Sequence, residues 1–356
     1  MAFSAQPGAD SEDASAVPES ADARYARELR SARDSARRVP DFFIVGHAKC
    51  GTTAMYRTLR QHPQIYMPEI KETQFFSRSP QERFDSPSGA ARPGKRPRTL
   101  EAYLELFAGA LSEQIAGEAS PQYIRSPRAA GAIAELAPDA RVVAIFREPA
   151  SFLRSFHLQL LQVKIETEGD LASALALEAD RRQGRRIPLD CPAPDRLLYL
   201  DHVRYLEQLR RFHEQFGRER VLTLIYDDFR ADNDGVLRQI LRFLGADDSV
   251  QLRAADANPT VRVRPSRVHE LAHRTAMGRG PVLGAVRSAL KAATPGVLRH
   301  RALRSVDRAV VEREPPPADP ALMQELRRRF TGEVEAFGEY LQRDLIDLWG
   351  YDAAAK

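Results

Sequence analysis

The sequence is short of several things, and each shortage removes a class of explanation. Two cysteines, Cys50 and Cys191, cannot build a disulfide framework, so a reducing, cytoplasmic setting is expected. No apolar run reaches the ~18 residues of a membrane-spanning helix. The N-terminus has no basic stretch leading into an apolar one, so no secretory signal is expected either. Zinc-type Cys/His spacing and internal repeats are both missing. The net charge of +4 is a mild bias, compatible with an anionic ligand. No base-reading module or aromatic interleaving accompanies the basic stretch at 24–38, which argues against nucleic acid as a partner. Lysine is the scarcest charged type, found only at Lys49, Lys71, Lys95, Lys164, Lys291 and Lys356 against a background of arginine. Two of the six fall in one stretch, 41–77. A compact ammonium can donate a hydrogen bond or proton to a leaving oxygen, a task for which a delocalised guanidinium is poorly suited.

What is present is a globular chain of 356 residues with 43% apolar content, enough for one large α/β domain or two small ones. The stretch Asp41–Ser77 organises it. Phe42-Phe43-Ile44-Val45 has the length and β-character of a buried strand. A tight loop follows, Gly46-His47-Ala48-Lys49-Cys50-Gly51-Thr52-Thr53. Then comes a helical pattern with Met55, Tyr56 and Leu59 on one face, closed by His62-Pro63. Strand, Gly-bounded loop and helix form the geometry in which backbone N–H groups and a helix N-terminus cradle phosphate. The loop departs from the Walker A pattern, because Thr52 follows Gly51 and the lysine stands ahead of it at Lys49.

That arrangement, GxxKxGTT after a strand, resembles the phosphosulfate loop of sulfotransferases, the enzymes that use 3′-phosphoadenosine 5′-phosphosulfate (PAPS) as sulfuryl donor. The resemblance implies donor contacts from Lys49, Cys50, Gly51, Thr52 and Thr53. Downstream, Lys71-Glu72-Thr73-Gln74-Phe75-Phe76 is similar to the KExxFF element of the glycosaminoglycan-type and many bacterial members. By motif position Glu72 takes the role of the base that deprotonates the acceptor hydroxyl, with Lys71 orienting it. An apolar wall from Phe75 and Phe76 is expected to help raise its pKa. Gly117-Glu118-Ala119-Ser120-Pro121-Gln122-Tyr123 resembles the family's GE(A/K)(S/T)PxY segment, with Ala119 where some carbohydrate sulfotransferases carry Lys.

A second strand reads from Val142 to Phe146, followed by Arg147-Glu148-Pro149 and then Ser155 on a helix that Pro149 opens. Arg-x-Pro with Ser155 eight residues after Arg147 matches the family's 3′-phosphate-binding element. An Arg fork with a hydroxyl suits a phosphate monoester. Phe152 and His157 depart from the Arg and Tyr that many relatives have there, which bears on the pocket wall. A third strand, Val221–Ile225, precedes Asp227 and Asp228, read as a structural acid pair on an extended segment. Val236–Gly245 reads as an amphipathic helix with a Gly stop, and 322–348 as a final helical region ending at Trp349.

The expected fold is α/β, a P-loop-like three-layer architecture with a central, mainly parallel sheet flanked by helices. Residues 1–38 are expected to be a disordered and basic solvated arm, 39–350 the sulfotransferase-like domain, and 351–356 a tail. The Arg-rich run 258–315 is read as a helical cap, an anionic-membrane surface or plain structure. The resemblance implies sulfuryl transfer from PAPS to a hydroxyl of a carbohydrate, lipid-linked or natural-product acceptor, with no metal required. Two other readings stay open: a P-loop kinase or NTPase using Mg-ATP, and a non-catalytic nucleotide-binding protein at a membrane surface.

Overall fold

Continuous burial, not alternation, marks the first strand. All five residues of β1 (Phe42–Gly46) are buried, as a strand covered on both faces requires. The structure, a computed structural model, describes residues 19–35, 37–78, 96–189, 191–253, 262–263, 311–312 and 317–352. Around β1 lie β2 (Ile65–Tyr66), β3 (Ile115–Ala119), β4 (Arg141–Phe146) and β5 (Val221–Ile225), in the order β2-β3-β1-β4-β5. Every pairing is parallel. Parallel neighbours need crossover connections, and these supply the helices.

Helix α1 (Ala21–Arg33) precedes the sheet, and α2 (Thr52–Leu59) follows β1. Between β2 and β4 come α3 (Leu100–Leu104) and α4 (Ala129–Leu136). Between β4 and β5 run α5 (Pro149–Gln162), α6 (Leu171–Ala176), α7 (Glu178–Arg182) and α8 (Tyr205–Phe216). After β5 come α9 (Tyr226–Ala231), α10 (Asn233–Leu244), α11 (Pro320–Leu341) and α12 (Leu345–Trp349). The expected α/β class with a parallel sheet and flanking helices is therefore the observed one. Phe146 of β4, Tyr205 of α8 and Phe337 of α11 join sheet and helices, with ring centroids 4.8–5.6 Å apart.

Three readings change. Residues 24–38 were expected to form a solvated arm, yet α1 is capped by Ser20 and buries Tyr25 and Leu29. It packs on α4, with Arg30 paired to Glu135 at 2.9 Å and Arg128 to Asp22 at 2.6 Å. Two large apolar residues four apart make one turn of stripe, too little for periodicity to reveal but enough to seat a helix on a neighbour. Tyr351, assigned above to a tail, is buried and donates to Glu148 at 2.9 Å. Asp227 and Asp228 sit in the first turn of α9, not on an extended segment. Their structural reading holds: Asp228 takes both guanidinium nitrogens of Arg343, and Asp227 accepts from Trp349 Nε1 at 3.0 Å.

Residues 1–18, most of the loop at 77–100 and nearly all of 258–315 lie outside the described residues. So do the readings made there of disorder, cap and membrane surface. The described part of 258–315 is an antiparallel pair, Arg262–Val263 with Val311–Glu312. No helix among the described residues is long and apolar enough to cross a membrane.

Leu29 is only 1% exposed, so Leu29→Ala is expected to lower stability by ~2–4 kcal/mol. Urea denaturation of the full chain checks it. A change under ~0.5 kcal/mol, typical of a surface site, would show that α1 is not seated in solution.

Candidate functional site

The site is assembled where the strand order reverses. β1 pairs with β3 on one side and β4 on the other, with Ile44 opposite Ala119 and Gly46 opposite Ile145. The carboxyl ends of three adjacent strands therefore open on one edge, the place where open α/β sheets bind ligands.

The loop after β1 can turn only because two glycines allow it. Gly46 has φ +134, and a Cβ there would meet the Ile145 carbonyl oxygen at 2.5 Å. Gly51 has φ +82, and a Cβ would meet the Phe229 ring at 2.9 Å. Between them Lys49 is also left-handed, at φ 65, a conformation that costs a non-glycine about 1 kcal/mol or more and recurs at functional sites. The base of the loop is anchored inward. Buried His47 donates from Nε2 to Gln208 Oε1 at 2.9 Å and lies 4.8 Å from the Phe152 ring. Burial pushes its pKa down to about 3, so it stays neutral. Gly51 offers no side-chain cap to α2, so the first-turn amides of the helix have no capping side chain, the arrangement in which a helix N-terminus accommodates an anion.

Arg147 leaves the end of β4 and reaches this loop. Its Nη1 donates to the Lys49 carbonyl at 3.1 Å and its Nε to Ser151 Oγ at 3.0 Å, while its guanidinium lies 5.0 Å from the Tyr226 ring centroid. The hydroxyl bonded to Arg147 is thus that of Ser151. Ser155, one turn further along α5, is buried on the same face. Burial, and then the charge of Arg147, lower the pKa of Lys49. Two cations held together beside uncapped amides form a site for an anion with more than one charge. Among the expected donor-site residues, Lys49, Gly51, Thr52, Thr53, Arg147 and Ser155 all lie along this edge. The Cys50 thiol does not face it. That thiol is fully buried, hydrogen-bonded to Ala48 O at 3.6 Å, and pushed up to about 12 by burial.

Glu72 lies on the neighbouring loop, which the end of β3 pins in place. Glu72 N donates to Ala119 O at 2.9 Å, Gln74 N to Ser120 Oγ at 3.1 Å and Phe75 N to Tyr123 OH at 3.0 Å. Beneath them Glu118 is completely buried. Its carboxylate accepts from Thr73 Oγ1 at 2.9 Å, from Tyr103 OH at 3.1 Å and from Ser120 Oγ. Burial raises its pKa against the pull of these hydroxyls. The network holds Glu72 and Gln74 at φ 59 and 52, both left-handed. Glu118 was quoted above only as part of a motif and given no role. Its signal was present, because an acid beside strand residues that point inward must find donors.

The expectation for the pKa of Glu72 is overturned. Phe75 and Phe76 are buried against Tyr103, with centroids 4.5 and 5.1 Å away, and form core, not a wall for the carboxylate. Partial burial pushes the Glu72 pKa up, but Lys71, bonded at 2.8 Å, outweighs it with help from Arg96 and Arg196. The net direction is below the ordinary carboxylate value, so Glu72 is ionised at neutral pH. Phe152 and His157 also turn inward: Phe152 stacks on Phe156, and His157 bonds to Tyr199 OH at 2.9 Å. Both are buried.

Fold and site together define an α/β protein with a glycine-bounded loop and a helix N-terminus at the end of its central parallel strand. A family model described as "Sulfotransferase family" matches residues 40–249. The chain belongs to that family. It is 24% identical over 226 residues to human bifunctional heparan sulfate N-deacetylase/N-sulfotransferase 3, covering 62% of this chain and 24% of that protein. It is 25% identical over 212 residues to mouse heparan sulfate glucosamine 3-O-sulfotransferase 3A1, covering 60% of this chain and 47% of that one. The chain therefore spans less than half the length of either. A solved structure, a sulfotransferase from Alicyclobacillus acidocaldarius, superposes with a TM-score of 0.60 at 26% identity, over 88% of this chain and 99% of that one.

Glu118→Ala removes the acceptor for three buried hydroxyls and is expected to destabilise the protein by at least ~2 kcal/mol, with Glu118→Gln costing less. Denaturant titration of both variants checks this. Equal, small effects would mean that the Glu118 network does not hold the Glu72 loop.

Proposed function

We propose that this chain catalyses in-line transfer of the sulfuryl group of PAPS to an acceptor hydroxyl, with a carbohydrate or lipid-linked alcohol, or a natural-product hydroxyl, as acceptor class. One observation carries the reading. The Lys49 loop with its uncapped helix and the Arg147 fork leave the carboxyl ends of the adjacent strands β1 and β4, and the loop that carries Glu72 is tied to the end of β3 on the other side of β1. Family membership and the heparan sulfate sulfotransferase names of the relatives support it.

The residues present fit the donor. The amides of Gly51, Thr52 and Thr53 hold the 5′-phosphate, and Arg147 with Ser155 holds the 3′-phosphate, which ATP lacks. Lys49 stabilises the charge that develops on the oxygen linking phosphate to sulfur, an interaction stronger in the transition state than before it. Glu72 takes the acceptor proton as the new O–S bond forms. The old S–O bond breaks, and adenosine 3′,5′-bisphosphate leaves with that electron pair. Lys71 orients Glu72 and keeps it ionised. A carboxylate with a lowered pKa is a weaker base than one raised by an apolar wall. Its advantage is full ionisation throughout the neutral range.

Thermal stabilisation by adenosine 3′,5′-bisphosphate is expected, by mass action on the native state, and is expected to vanish in Arg147→Ala. A response to Mg-ATP alone would replace this reading with a P-loop kinase. Lys49→Ala and Glu72→Gln are each expected to lower turnover by ~10²-fold or more. Near-normal turnover in Glu72→Gln removes Glu72 as base.

The pH profile supplies a separate check. With its cations in place, Glu72 gives an acid limb of kcat/KM below pH 4.5, the ordinary value for Glu. In Lys71→Met the lost charge lets the pKa rise, so the limb moves to higher pH. An unmoved limb means that Lys71 does not set the ionisation of Glu72.

A further inference from the structure

Residues 343–351, which follow α11, bond to both sides of Arg147. On one side stands the first turn of α5. Glu148, next to Arg147 in the chain, caps that turn: its Oε1 accepts from Ala150 N at 3.0 Å and its Oε2 from Ser151 N at 2.6 Å. Buried Tyr351 donates to the same Oε1 at 2.9 Å, and Arg327 of α11 lies 3.7 Å from it. The Ser151 hydroxyl donates its proton to the Glu148 carbonyl at 3.1 Å, so toward Arg147 Nε it can only accept. On the other side is the Tyr226 ring, 5.0 Å from the guanidinium. The two residues after Tyr226 are held by the same C-terminal segment, Asp227 by Trp349 at 3.0 Å and Asp228 by Arg343 at 2.7 Å. Arg147 uses one N–H on Ser151 and one on the Lys49 carbonyl, and the rest of its fork has no partner among the described residues. An acid beside a phosphate-binding arginine would compete with the phosphate for it. Glu148 is instead committed to the α5 amides and to Tyr351, which leaves the charge of Arg147 open.

We propose that Tyr351 is a positioning residue for recognition of the 3′-phosphate. Through Glu148 it fixes the turn that carries Ser151, while Trp349 and Arg343 fix the opposite wall at Tyr226, so that residues 343–351 clamp Arg147 between the two. This rests on the sulfotransferase reading and gives a role to the stretch RDLIDLWGY at 343–351, which acts through other residues and not on the reacting atoms. Without the Tyr351 hydroxyl the buried Glu148 carboxylate lacks a donor, and Arg147 is the cation next to it in the chain. An arginine drawn toward that carboxylate presents less charge and fewer N–H groups to a phosphate. Donor and product both carry the 3′-phosphate, so the clamp acts on binding and not on the chemical step.

The test is calorimetric titration of the full chain with adenosine 3′,5′-bisphosphate and with adenosine 5′-monophosphate, because the ratio of the two dissociation constants isolates the 3′-phosphate. The wild-type chain is expected to bind the bisphosphate ~10-fold or more tighter, the scale of a charged hydrogen bond. Tyr351→Phe removes only the hydroxyl and is expected to lower that ratio by ~3-fold or more. Its binding of the monophosphate is expected to be unchanged, which shows that the variant is folded. Tyr340→Phe is the control: it removes another hydroxyl contact of the C-terminal helices, to His213 at 2.8 Å, and is expected to leave the ratio alone. Should Tyr351→Phe lose both nucleotides, Trp349→Phe, which removes the bond to Asp227, decides by the same ratio. A ratio that survives the substitution, or one that falls equally in Tyr340→Phe, overturns the clamp and leaves the donor reading standing. Equal affinities for the two nucleotides in the wild-type chain overturn the 3′-phosphate reading, and the clamp with it.

Discussion

Parallel pairing of β1 with both β3 and β4 is the constraint on which everything else depends. In a parallel sheet, neighbouring strands end on the same edge, so the segments that follow them must share that edge. Here those segments are the Lys49 loop, the Ala119–Tyr123 turn and Arg147, with the loop that carries Glu72 tied to the turn. The register places Ala119 beside Ile44 and Ile145 beside Gly46, and the loops then bond to one another. Arg147 holds the Lys49 carbonyl, and the Ala119 carbonyl holds the Glu72 amide. A slip of one residue between these strands would turn each of these side chains to the opposite face.

Electrostatics divides the edge into two parts. On the donor side Lys49 and Arg147 repel each other, and no carboxylate is bonded to either among the described residues. On the acceptor side Glu72 is ringed by Lys71, Arg96 and Arg196. Both halves carry surplus positive charge. Left-handed backbone at Lys49, Glu72 and Gln74 adds strain at the same places, and buried neighbours such as Glu118 and His47 keep it in position.

Much of this was legible from residues in order. The strands at 42–46, 141–146 and 221–225 announced themselves as short apolar runs, and Gly245 stopped its helix as expected, at φ 80. Helix α4 gave no comparable signal, because AAGAIAEL has almost no polar face against which an apolar one can be seen. The seat of α1 was hidden for the opposite reason, with Tyr25 and Leu29 its only large apolar residues among charges. Side-chain direction was the commonest loss. Phe75, Phe76, Phe152 and His157 each stood beside a functional residue in the chain, and each turned into the core. Ser151, which no motif singled out, accepts a bond from Arg147.

By itself the sequence determined the class of fold, the phosphate loop and the identity of the charged residues, because strand burial, glycine placement and lysine scarcity are local properties. Tertiary structure decided their chemical state. Whether Glu72 is raised or lowered depends on Lys71, but also on Arg96 and Arg196, which the fold alone brings near. Whether the Cys50 thiol is reactive depends on what covers it. Whether the Nε of Arg196 is bonded depends on what the fold packs around it, and there it lies over the Phe156 ring. Ionisation and hydrogen bonding follow distances in space, and those distances were set only when the five strands paired.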